Sequence, residues 1–430
     1  MVSRASYARL AARLVNRNLR LLGVGVAIRM LGNALYNPFL ALFLVNVLHL
    51  TYLEVGEIIA AIGLILLPFN FLGGLLTDRL GRRRLLLIGL FAEAAATAGL
   101  AYAFSVQSLE LAIVAALAGG IVSTTAGPAA AAYIADFAEH SERTRGFTFY
   151  RIGFNAGYSA GVTLGGLLIA SIGFAGAVGV ATVIMASGAS FLALTLAPSP
   201  RDLALRRPAP SAVAPAPVPA EPPPVTMATS FKLLGRDRVA LELLLAFGLV
   251  AMVVGQWGVT FPLYVHNVLG VSYSLLGVGL ALNGLVVVFG QTFTTESVIG
   301  RRHTTIGILG VLLYAVAFLG LGAAGLFVVF PTYVFFAAVV VLTFGENLIT
   351  IPSATLPSNI APKAEVGAYN GAFAMVGGAG FIVSVLLGGA VLEATANPLL
   401  IWVLLLVPAV PALLLLRHAA ARLSPAQDTA

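Results

Sequence analysis

The sequence predicts an all-α membrane protein with twelve transmembrane helices, arranged as two pseudo-symmetric six-helix bundles. Of its 430 residues, 59% are hydrophobic and only 10% are charged, and the mean hydropathy is +0.99. Soluble domains carry about 25% charged residues, so this composition does not supply a water-facing surface. The length instead accommodates many apolar segments of about 20 residues, which is the length that crosses a bilayer as a helix.

Twelve apolar segments can be read along the chain, and we number them spans 1 to 12. They lie near residues 20–48, 54–76, 85–105, 109–136, 147–171, 175–197, 239–266, 272–295, 304–323, 326–357, 367–391 and 398–416. Short echoes in the same order relate the first six spans to the last six, for example Gly127-Pro128 of span 4 and Ile351-Pro352 of span 10. Such a repeat is typical of two bundles with a shared site between them.

The domain boundaries follow from these spans. Residues 1–197 are predicted to form the N-terminal bundle, residues 238–418 the C-terminal bundle, and residues 419–430 a tail. Residues 198–237 form a Pro/Ala-rich linker, and we expect its first part, Pro198–Ser230, to be extended and mobile.

The distribution of basic residues orients the chain. All Lys and Arg residues except Arg29 and Arg151 lie in the segments on one side of the twelve spans. This is the positive-inside pattern, which predicts a multi-pass protein of a bacterial cell membrane with both termini in the cytoplasm. The formal net charge of +7 therefore orients the protein and does not indicate a nucleic-acid partner. The first apolar span is also too long for the apolar core of a cleavable signal peptide.

The chain contains no cysteine, which excludes disulfides, thiol catalysis and cysteine-ligated metal sites. Its five histidines are scattered, one per loop or helix end, and show no metal-ligand spacing. No catalytic constellation or nucleotide-binding loop occurs. We therefore expect no cofactor, no metal and no enzymatic activity.

The most informative motif lies between spans 2 and 3. It reads Gly-x-x-x-Asp-Arg-x-Gly-Arg-Arg, and a weaker copy occurs at Thr295–Arg302, between spans 8 and 9. We take its first glycine as the end of span 2. The motif residues are Gly74, Asp78, Arg79, Gly81, Arg82 and Arg83.

This motif resembles the signature loop between the second and third helices of the major facilitator superfamily of transporters. The resemblance implies a six-plus-six helix fold and transport by alternating access. It also implies that Asp78 contacts the cytoplasmic end of span 11 and helps to hold the two bundles in the outward-facing state. The alternative is that the arginines serve only as an orientation signal, each stabilised by about 1 kcal/mol near an anionic membrane surface.

Three further patterns are similar to those of drug–proton antiporters in this superfamily. Span 1 contains Leu-Gly-x5-Pro, ending at Pro38, but Ala41 replaces the second proline. Span 10 contains Gly-Glu followed by Ile-Pro. Span 5 carries the motif Arg151, Asn155, Gly157, Gly161, Gly165 and Gly166. Val162 stands where the antiporter motif has proline, and an alanine stands where span 4 of that subfamily has arginine.

The spacing of the span 5 glycines allows an inference that does not depend on the family resemblance. Glycines at 153, 157, 161 and 165 recur at every fourth position, so they share one helix face. Such a face allows another helix to approach closely in the bilayer. Static packing and a gating role both remain open.

Charges inside spans are the leading candidates for function, because each costs about 2.5–3.5 kcal/mol on insertion scales. The resemblance places spans 1, 4, 7 and 10 around a central cavity. If Arg29 pairs with Glu346 there, substrate binding would disturb the pair and move a proton. If Arg29 pairs with Glu93 instead, that pair is structural and Glu346 is the titrating group. The predicted coupling residues are Arg29, Asn33, Asn37, Glu93, Glu346 and Asn347.

Span 7 carries a polar stripe at positions i, i+4 and i+8, formed by Gln256, Thr260 and Tyr264. Each such residue either lines the cavity or connects neighbouring helices. The predicted cavity residues are Tyr36, Gln256, Trp257, Tyr264, Asn283 and Gln291. A mostly apolar and aromatic cavity favours lipophilic or amphiphilic substrates.

Three classes of function are compatible with these observations. The first is proton-coupled efflux of lipophilic or amphiphilic compounds. The second is proton-coupled or facilitative transport of a small metabolite, which the missing span 5 proline and span 4 arginine favour. The third is a non-transporting membrane receptor or lipid-handling protein. The expected partners are a small-molecule substrate, protons and membrane lipids, and we expect a monomer.

Overall fold

The computed structural model describes residues 4–137, 140–205, 235, 237–327, 330–362 and 365–429. Within the helices, it describes only the backbone for residues 4–16, 70–79, 140–145, 204, 205 and 292. The described residues are helical or lie in turns and short connections. Their one β-type contact is an isolated bridge between Arg302 and Thr429.

Long helices account for all twelve predicted spans. Spans 1 to 4 are Arg4–Ala34 with Leu40–Asn46, Tyr52–Leu80, Arg82–Ser105 and Leu109–Phe137. Spans 5 and 6 share His140–Thr195. Spans 7 to 9 are Arg238–Val254 with Thr260–Leu263, Tyr273–Val298 and His303–Phe327. Spans 10 to 12 are Pro331–Ile360, Val366–Ala394, and Pro398–Leu405 with Ala409–Arg422.

Eleven helical segments among the described residues are long and apolar enough to cross a membrane. One of them, Gly146–Thr195, is 50 residues long and is interrupted at Gly173, whose φ of 73° and ψ of 176° are not helical. Because glycine adopts a positive φ without steric cost, the chain turns there between spans 5 and 6. With this division the segments number twelve, and the all-α membrane fold is confirmed.

Two sequence expectations about helix ends are wrong. Span 2 does not end at Gly74, because its helix continues to Leu80 and the break falls at Gly81, with a φ of 89°. The linker does not begin as an extended segment, because Pro200–Leu205 is a short helix. Residues 206–234 of the predicted linker lie outside the described residues.

Span 1 is also interrupted. Its first helix ends at Ala34, and a short 3-10 turn, Asn37–Phe39, precedes the second helix. Pro38 lies at the start of this turn and has no backbone N–H to donate, so a regular helix is not continued through it. Asn37 therefore does not extend the helical face of Arg29 and Asn33, and its side chain is exposed.

The chain forms two compact units. Unit 1 comprises Met1–His49, Ala61–Ala209 and Ser272–Gly284, and unit 2 comprises Leu50–Ala60, Pro210–Val271 and Leu285–Ala430. The start of span 2 thus belongs to unit 2, and the start of span 8 belongs to unit 1.

Close glycine contacts explain the grouping in each unit. In unit 1, a Cβ atom on Gly166 of span 5 would overlap the carbonyl oxygen of Tyr273 in span 8. In unit 2, a Cβ atom on Gly389 of span 11 would overlap the carbonyl oxygen of Tyr52 in span 2. The two contacts are sequence equivalents, because Ser-Tyr-x-x-x-Gly at 272–277 repeats Thr-Tyr-x-x-x-Gly at 51–56.

Candidate substrate and proton site

A buried ion pair lies inside unit 1. Nε of Arg29 donates to Oε2 of Glu93 at 2.7 Å, and its Nη2 donates to Oε1 of the same carboxylate at 3.0 Å. Nη2 also donates to Oγ of Ser123 on span 4, at 2.9 Å. The side chains of Arg29 and Glu93 are only 14% and 4% exposed. Arg29 is therefore paired with Glu93 in a two-pronged geometry, the stronger form of charge-assisted hydrogen bonding.

The space beside this pair is small. The void lined by Arg29, Tyr150 and apolar side chains of spans 1, 3, 4 and 6 has a volume of about 10 Å³. That volume holds at most one water molecule. One helical turn beyond Glu93 on span 3, Thr97 Oγ1 lies 3.5 Å from the hydroxyl of Tyr36, which belongs to span 1. The hydroxyl of Thr97 donates to the Glu93 backbone carbonyl. The surroundings of Arg29 in unit 1 are thus packed, and Asn33 lies partly buried on the same span.

The span 5 glycine face packs against span 1. Cβ atoms on Gly157, Gly161 and Gly165 would overlap the carbonyl oxygens of Ala27, Leu31 and Leu35. Each glycine thus allows the two backbones to touch directly, as small residues do between membrane helices. Arg151 is exposed and Asn155 partly buried on the same span.

The span 7 polar stripe connects helices of unit 2. Gln256 and Thr260 are 0% and 1% exposed. The Gln256 side-chain amide donates to the Ser384 carbonyl of span 11 at 3.0 Å, and Thr260 donates to Gln256 Oε1 at 2.6 Å. Both residues lie in the interior of this unit.

The aromatic residues of span 7 also contact other residues of unit 2. Tyr264 is fully buried, and its hydroxyl donates to the Leu321 carbonyl of span 9 at 3.0 Å. Its ring lies 5.0 Å from that of Trp402, in an edge-to-face arrangement. Trp257 is partly buried, with its ring 4.5 Å from that of Phe261. Tyr264 therefore packs within the unit 2 core.

Glu346 lies within span 10 and is partly buried. Its charge is within electrostatic range of Tyr314 on span 9, and its backbone carbonyl accepts from Thr350. The adjacent Asn347 is 3% exposed, and its side-chain Nδ2 has no hydrogen-bond partner among the described residues. A Cβ atom on Gly290 of span 8 would lie 3.4 Å from that nitrogen. Asn347 thus points toward span 8, which also carries buried Asn283 and partly buried Gln291.

The signature motif contributes a polar network at the start of span 3. Arg82 Nε forms an ion pair with Asp136 Oδ2 at 3.4 Å, and Ser199 Oγ donates a hydrogen bond to that oxygen at 2.8 Å. Arg83 donates from its side chain to the Leu196 carbonyl at 2.7 Å. Gly74 lies in the segment 70–79, for which only the backbone is described, so the side chains of Asp78 and Arg79 lie outside those described.

In each unit, an aspartate accepts a hydrogen bond from a backbone N–H at the start of a helix, and in unit 1 this aspartate belongs to the network at the start of span 3. Asp202 Oδ2 accepts from the Arg83 backbone N–H at 3.1 Å, and Asp428 Oδ1 accepts from the Thr304 backbone N–H at 2.9 Å. Both follow a Ser-Pro pair, at Ser199 and Ser424. Negative side chains are favoured at helix starts, here those of spans 3 and 9. Sequence reasoning missed these caps, although the repeated Ser-Pro with a following Asp was a readable signal.

Among the described residues, no group of three or more His, Asp or Glu side chains is placed to hold a metal ion. The buried polar groups Arg29, Gln256 and Tyr264 instead bond to other helices of their own unit. Arg29 and Glu93 belong to unit 1, and Glu346 and Asn347 belong to unit 2.

The chain belongs to the Major Facilitator Superfamily, whose family model matches residues 22–385. It is therefore a multi-pass membrane transporter, as the resemblance of the signature loop predicted, and not an enzyme. Among solved structures, an auto-inhibited POT family peptide transporter matches with a TM-score of 0.73 at 17% identity, covering 95% of this chain and 97% of the other. At that identity the likeness shows the fold alone.

Three curated relatives are similar to this chain at low identity. The Na(+), Li(+), K(+)/H(+) antiporter of Planococcus maritimus is 26% identical over 77% of this chain and 79% of its own. The quinolone resistance protein NorA of Staphylococcus aureus is 28% identical over 40% of this chain and 44% of its own. The uncharacterized MFS-type transporter YttB of Bacillus subtilis is 29% identical over 32% of this chain. The match spans only 34% of YttB, about a third of that relative's length.

Proposed function

We propose that this protein exports lipophilic or amphiphilic small molecules in exchange for protons, by alternating access. The observation that carries the proposal is a partly buried carboxylate, Glu346, within a membrane span. The other two charges in the predicted coupling set, Arg29 and Glu93, are already paired with each other in unit 1. Glu346 is then the group that binds and releases the transported proton.

The energetics of a membrane carboxylate support this role. An ionised acid inside a span is costly, and protonation removes that cost. A substrate that binds near Glu346 changes the balance between the two protonation states. Coupling follows when the protonated and ionised forms favour opposite orientations of the transporter, because a ligand shifts an equilibrium by its differential affinity.

The relatives support proton-coupled efflux in two ways. One is named as an antiporter that exchanges monovalent cations for protons, and another is named as a quinolone resistance protein. The span 1, span 5 and span 10 patterns resemble those of drug–proton antiporters. The expected orientation has both termini in the cytoplasm of a bacterial cell, and the expected state is a monomer. Asp78 is expected to contribute to the outward-facing state.

The test is transport in proteoliposomes with an imposed pH gradient and a fluorescent lipophilic cation as substrate. The wild-type protein is expected to move the dye only while the gradient persists, and Glu346→Gln is expected to abolish gradient-driven movement. Glu57→Gln is the matched control, because Glu57 is an exposed carboxylate at the start of span 2 and lies outside both copies of the signature motif. Dye movement that continues unchanged after collapse of the gradient, or in Glu346→Gln, contradicts proton coupling through this residue.

A second candidate is exchange of Na(+) or K(+) for protons. The observation in its favour is that the cation/proton antiporter aligns over 77% of this chain, whereas NorA aligns over 40%. The same vesicles distinguish the two candidates. Proton release that requires added Na(+) or K(+) but no dye favours cation exchange, whereas uptake of a metabolite that ignores the pH gradient favours facilitative transport.

A further inference from the structure

The tail segment, residues 424–429, is docked against the start of span 9, on the side that the positive-inside pattern assigns to the cytoplasm. It contains one short helix, Pro425–Asp428, with a capping box at its start. Asn359, near the end of span 10, donates to the Gln427 carbonyl at 3.3 Å. Asn359 lies about 20 Å along span 10 from Glu346, at 1.5 Å per residue, so the tail segment is separate from the candidate proton site.

Asp428 makes most of the polar contacts of the tail segment. It is fully buried. Its Oδ2 accepts from Arg302 Nε and from Thr304 Oγ1, both at 2.7 Å, and its Oδ1 accepts from the Thr304 backbone N–H at 2.9 Å. Arg302 also donates to the Ala420 carbonyl of span 12, and it forms the isolated bridge with Thr429. Charge-assisted hydrogen bonds thus hold the tail segment against spans 9 and 12.

A histidine lies beneath the docked tail segment. His303 is 3% exposed and is the first residue of the span 9 helix. Its ring makes a hydrogen bond to the backbone of Thr429 and lies within electrostatic range of Asp428. Thr355 Oγ1 of span 10 lies 3.3 and 3.4 Å from the two ring nitrogens. The tail segment and span 10 therefore cover a side chain of the type that changes its charge near neutral pH.

The charged groups on the elements packed against His303 are paired or exposed. Among the described residues they are Glu296, Arg301, Arg302, Arg417, His418, Arg422 and Asp428. Asp428 pairs with Arg302 at 2.7 Å. On span 12, Arg422 and His418 lie 2.8 and 3.1 Å from Glu242 of span 7. The remaining three side chains are exposed.

Protonation of His303 therefore disfavours the docked state. Burial deprives an imidazolium of its hydration, and the carboxylate within range, that of Asp428, is already paired with Arg302. When the tail segment leaves, water reaches the ring and the charged form is hydrated. The undocked state thus binds the proton more readily, so docking is strong at high pH and is lost as the pH falls.

The corresponding position in unit 1 does not combine burial with a titratable ring. When Gly81 is aligned with Gly300, His303 corresponds to Arg84, which carries a permanent charge and is exposed. Asp202 of unit 1 nevertheless accepts from its helix start as Asp428 does in unit 2. A pH effect is therefore expected at the tail segment and not at its counterpart in unit 1.

We propose that the tail segment is a latch that cytoplasmic acid releases through His303. At neutral pH the imidazole is neutral, and the tail segment connects the start of span 9 to the ends of spans 10 and 12. When the cytoplasm becomes acidic, His303 takes up a proton and the tail segment leaves its site. The latch is independent of the proposed function, because it involves neither Glu346 nor the transported substrate.

The test is the distance between two spin labels in the full-length protein, which has no native cysteine. The labels are placed on Ala426→Cys in the tail segment and Ala354→Cys on span 10, both exposed positions. We expect one short distance at about pH 8 and a longer, broader distribution in acid, with a midpoint between about pH 5 and 7, where histidines titrate. No lengthening in acid, or a midpoint outside that range, overturns the proposal.

Two histidine variants assign the response. His303→Gln keeps hydrogen-bonding groups but has no titratable proton, so the short distance is expected to persist at about pH 5. His418→Gln is the matched control, because His418 is an exposed histidine of span 12, and it is expected to release at the wild-type midpoint. Release of His303→Gln at the wild-type midpoint, or loss of release in His418→Gln, contradicts a latch controlled by His303.

Hydrogen exchange of the wild-type protein tests the latch without any variant, in case His303→Gln does not fold. The Thr304 N–H donates to Asp428, so its protection is expected to fall severalfold from about pH 8 to about pH 5, after correction for the intrinsic exchange rate. The Arg83 N–H, which donates to Asp202 in unit 1, is the internal control and is expected to keep its protection. Unchanged protection at Thr304, or an equal loss at Arg83, overturns the proposal.

Discussion

The buried pair of Arg29 and Glu93 provides the sharpest test of how unit 1 is built. Glu93→Gln keeps the size of the side chain but removes the charge that accepts two hydrogen bonds from Arg29, at 2.7 and 3.0 Å. Only the hydroxyl of Ser123, at 2.9 Å, remains as an unchanged acceptor. Since the two side chains are 14% and 4% exposed, water does not replace the lost partner.

Removing one partner of a buried ion pair costs about 3–5 kcal/mol. The amide oxygen of Gln still accepts one bond, so we expect the lower end, about 3 kcal/mol. For a folding unit of about 150–250 residues, that corresponds to a fall of about 6–12 °C in the midpoint of thermal unfolding. The assay is thermal unfolding in detergent at one fixed scan rate, since membrane transporters unfold irreversibly and the midpoint depends on rate.

The double variant Arg29→Met/Glu93→Leu tests whether the two residues stabilise the protein as a pair or contribute independently. Replacing both partners of a buried pair with apolar residues is often neutral or stabilising. We therefore expect Arg29→Met and Glu93→Leu each to lower the midpoint, and the double variant to recover most of the loss. A double variant that falls by the sum of the two single losses refutes the pairing argument. A Glu93→Gln protein that keeps its midpoint but loses transport shows a functional pair instead.

Two further predictions concern contacts that sequence reasoning did not identify. Gly389→Val places side-chain atoms against the Tyr52 carbonyl, so it is expected to separate the start of span 2 from span 11. The separation is measured as a longer distance between spin labels on these two spans, with Ala390→Val as the control. An unchanged distance in Gly389→Val contradicts the contact. Asp428→Ala removes the acceptor of three hydrogen bonds to Arg302 and Thr304 and is expected to destabilise the start of span 9 by about 1–3 kcal/mol. Faster proteolysis of the C-terminal tail measures this effect, and an unchanged cleavage rate argues against the cap.

Much of the fold was readable from the sequence because membrane helices obey strong constraints. A bilayer requires long apolar helices, and apolar length is visible in sequence. The errors occurred where backbone conformation depends on a single residue. Gly74 and Gly81 are both glycines near the end of span 2, but only Gly81 adopts a positive φ. Nothing in composition separates a helical glycine from one that ends a helix.

The candidate site was less predictable because polar residues inside spans have two possible partners. Arg29 could be placed at the right depth, but the choice between Glu93 and Glu346 needed three-dimensional contacts. Gln256 and Tyr264 form a regular stripe, yet they bond to Ser384 and Leu321 in the interior of unit 2. A stripe predicts only which residues share a helix face. Whether a cavity or another helix covers that face depends on tertiary packing.

The internal repeat preserves the backbone geometry of the two halves but not their charged residues. The positive-φ glycines at 81 and 300 recur in both halves, as do the glycine contacts at 166 and 389, because both bundles need the same helix ends and crossings. When Pro38 is aligned with Pro262, Arg29 corresponds to a valine, Val253. When Gly81 is aligned with Gly300, Glu93 corresponds to a leucine.

The charged residues therefore do not follow the repeat, although the surrounding backbone does. When Pro128 is aligned with Pro352, Glu346 of the second half corresponds to a valine, Val122. The ion pair occurs only in the first half, and the span 10 carboxylate occurs only in the second. A charge that the structure of both equivalent bundles required would occur in both halves. Each of these charges therefore serves a requirement of one bundle alone. In the first half the requirement is met within the bundle, because Arg29 and Glu93 neutralise one another. In the second half the carboxylate lies in a span whose counterpart is apolar at that depth, and the proposed function assigns this carboxylate to proton coupling.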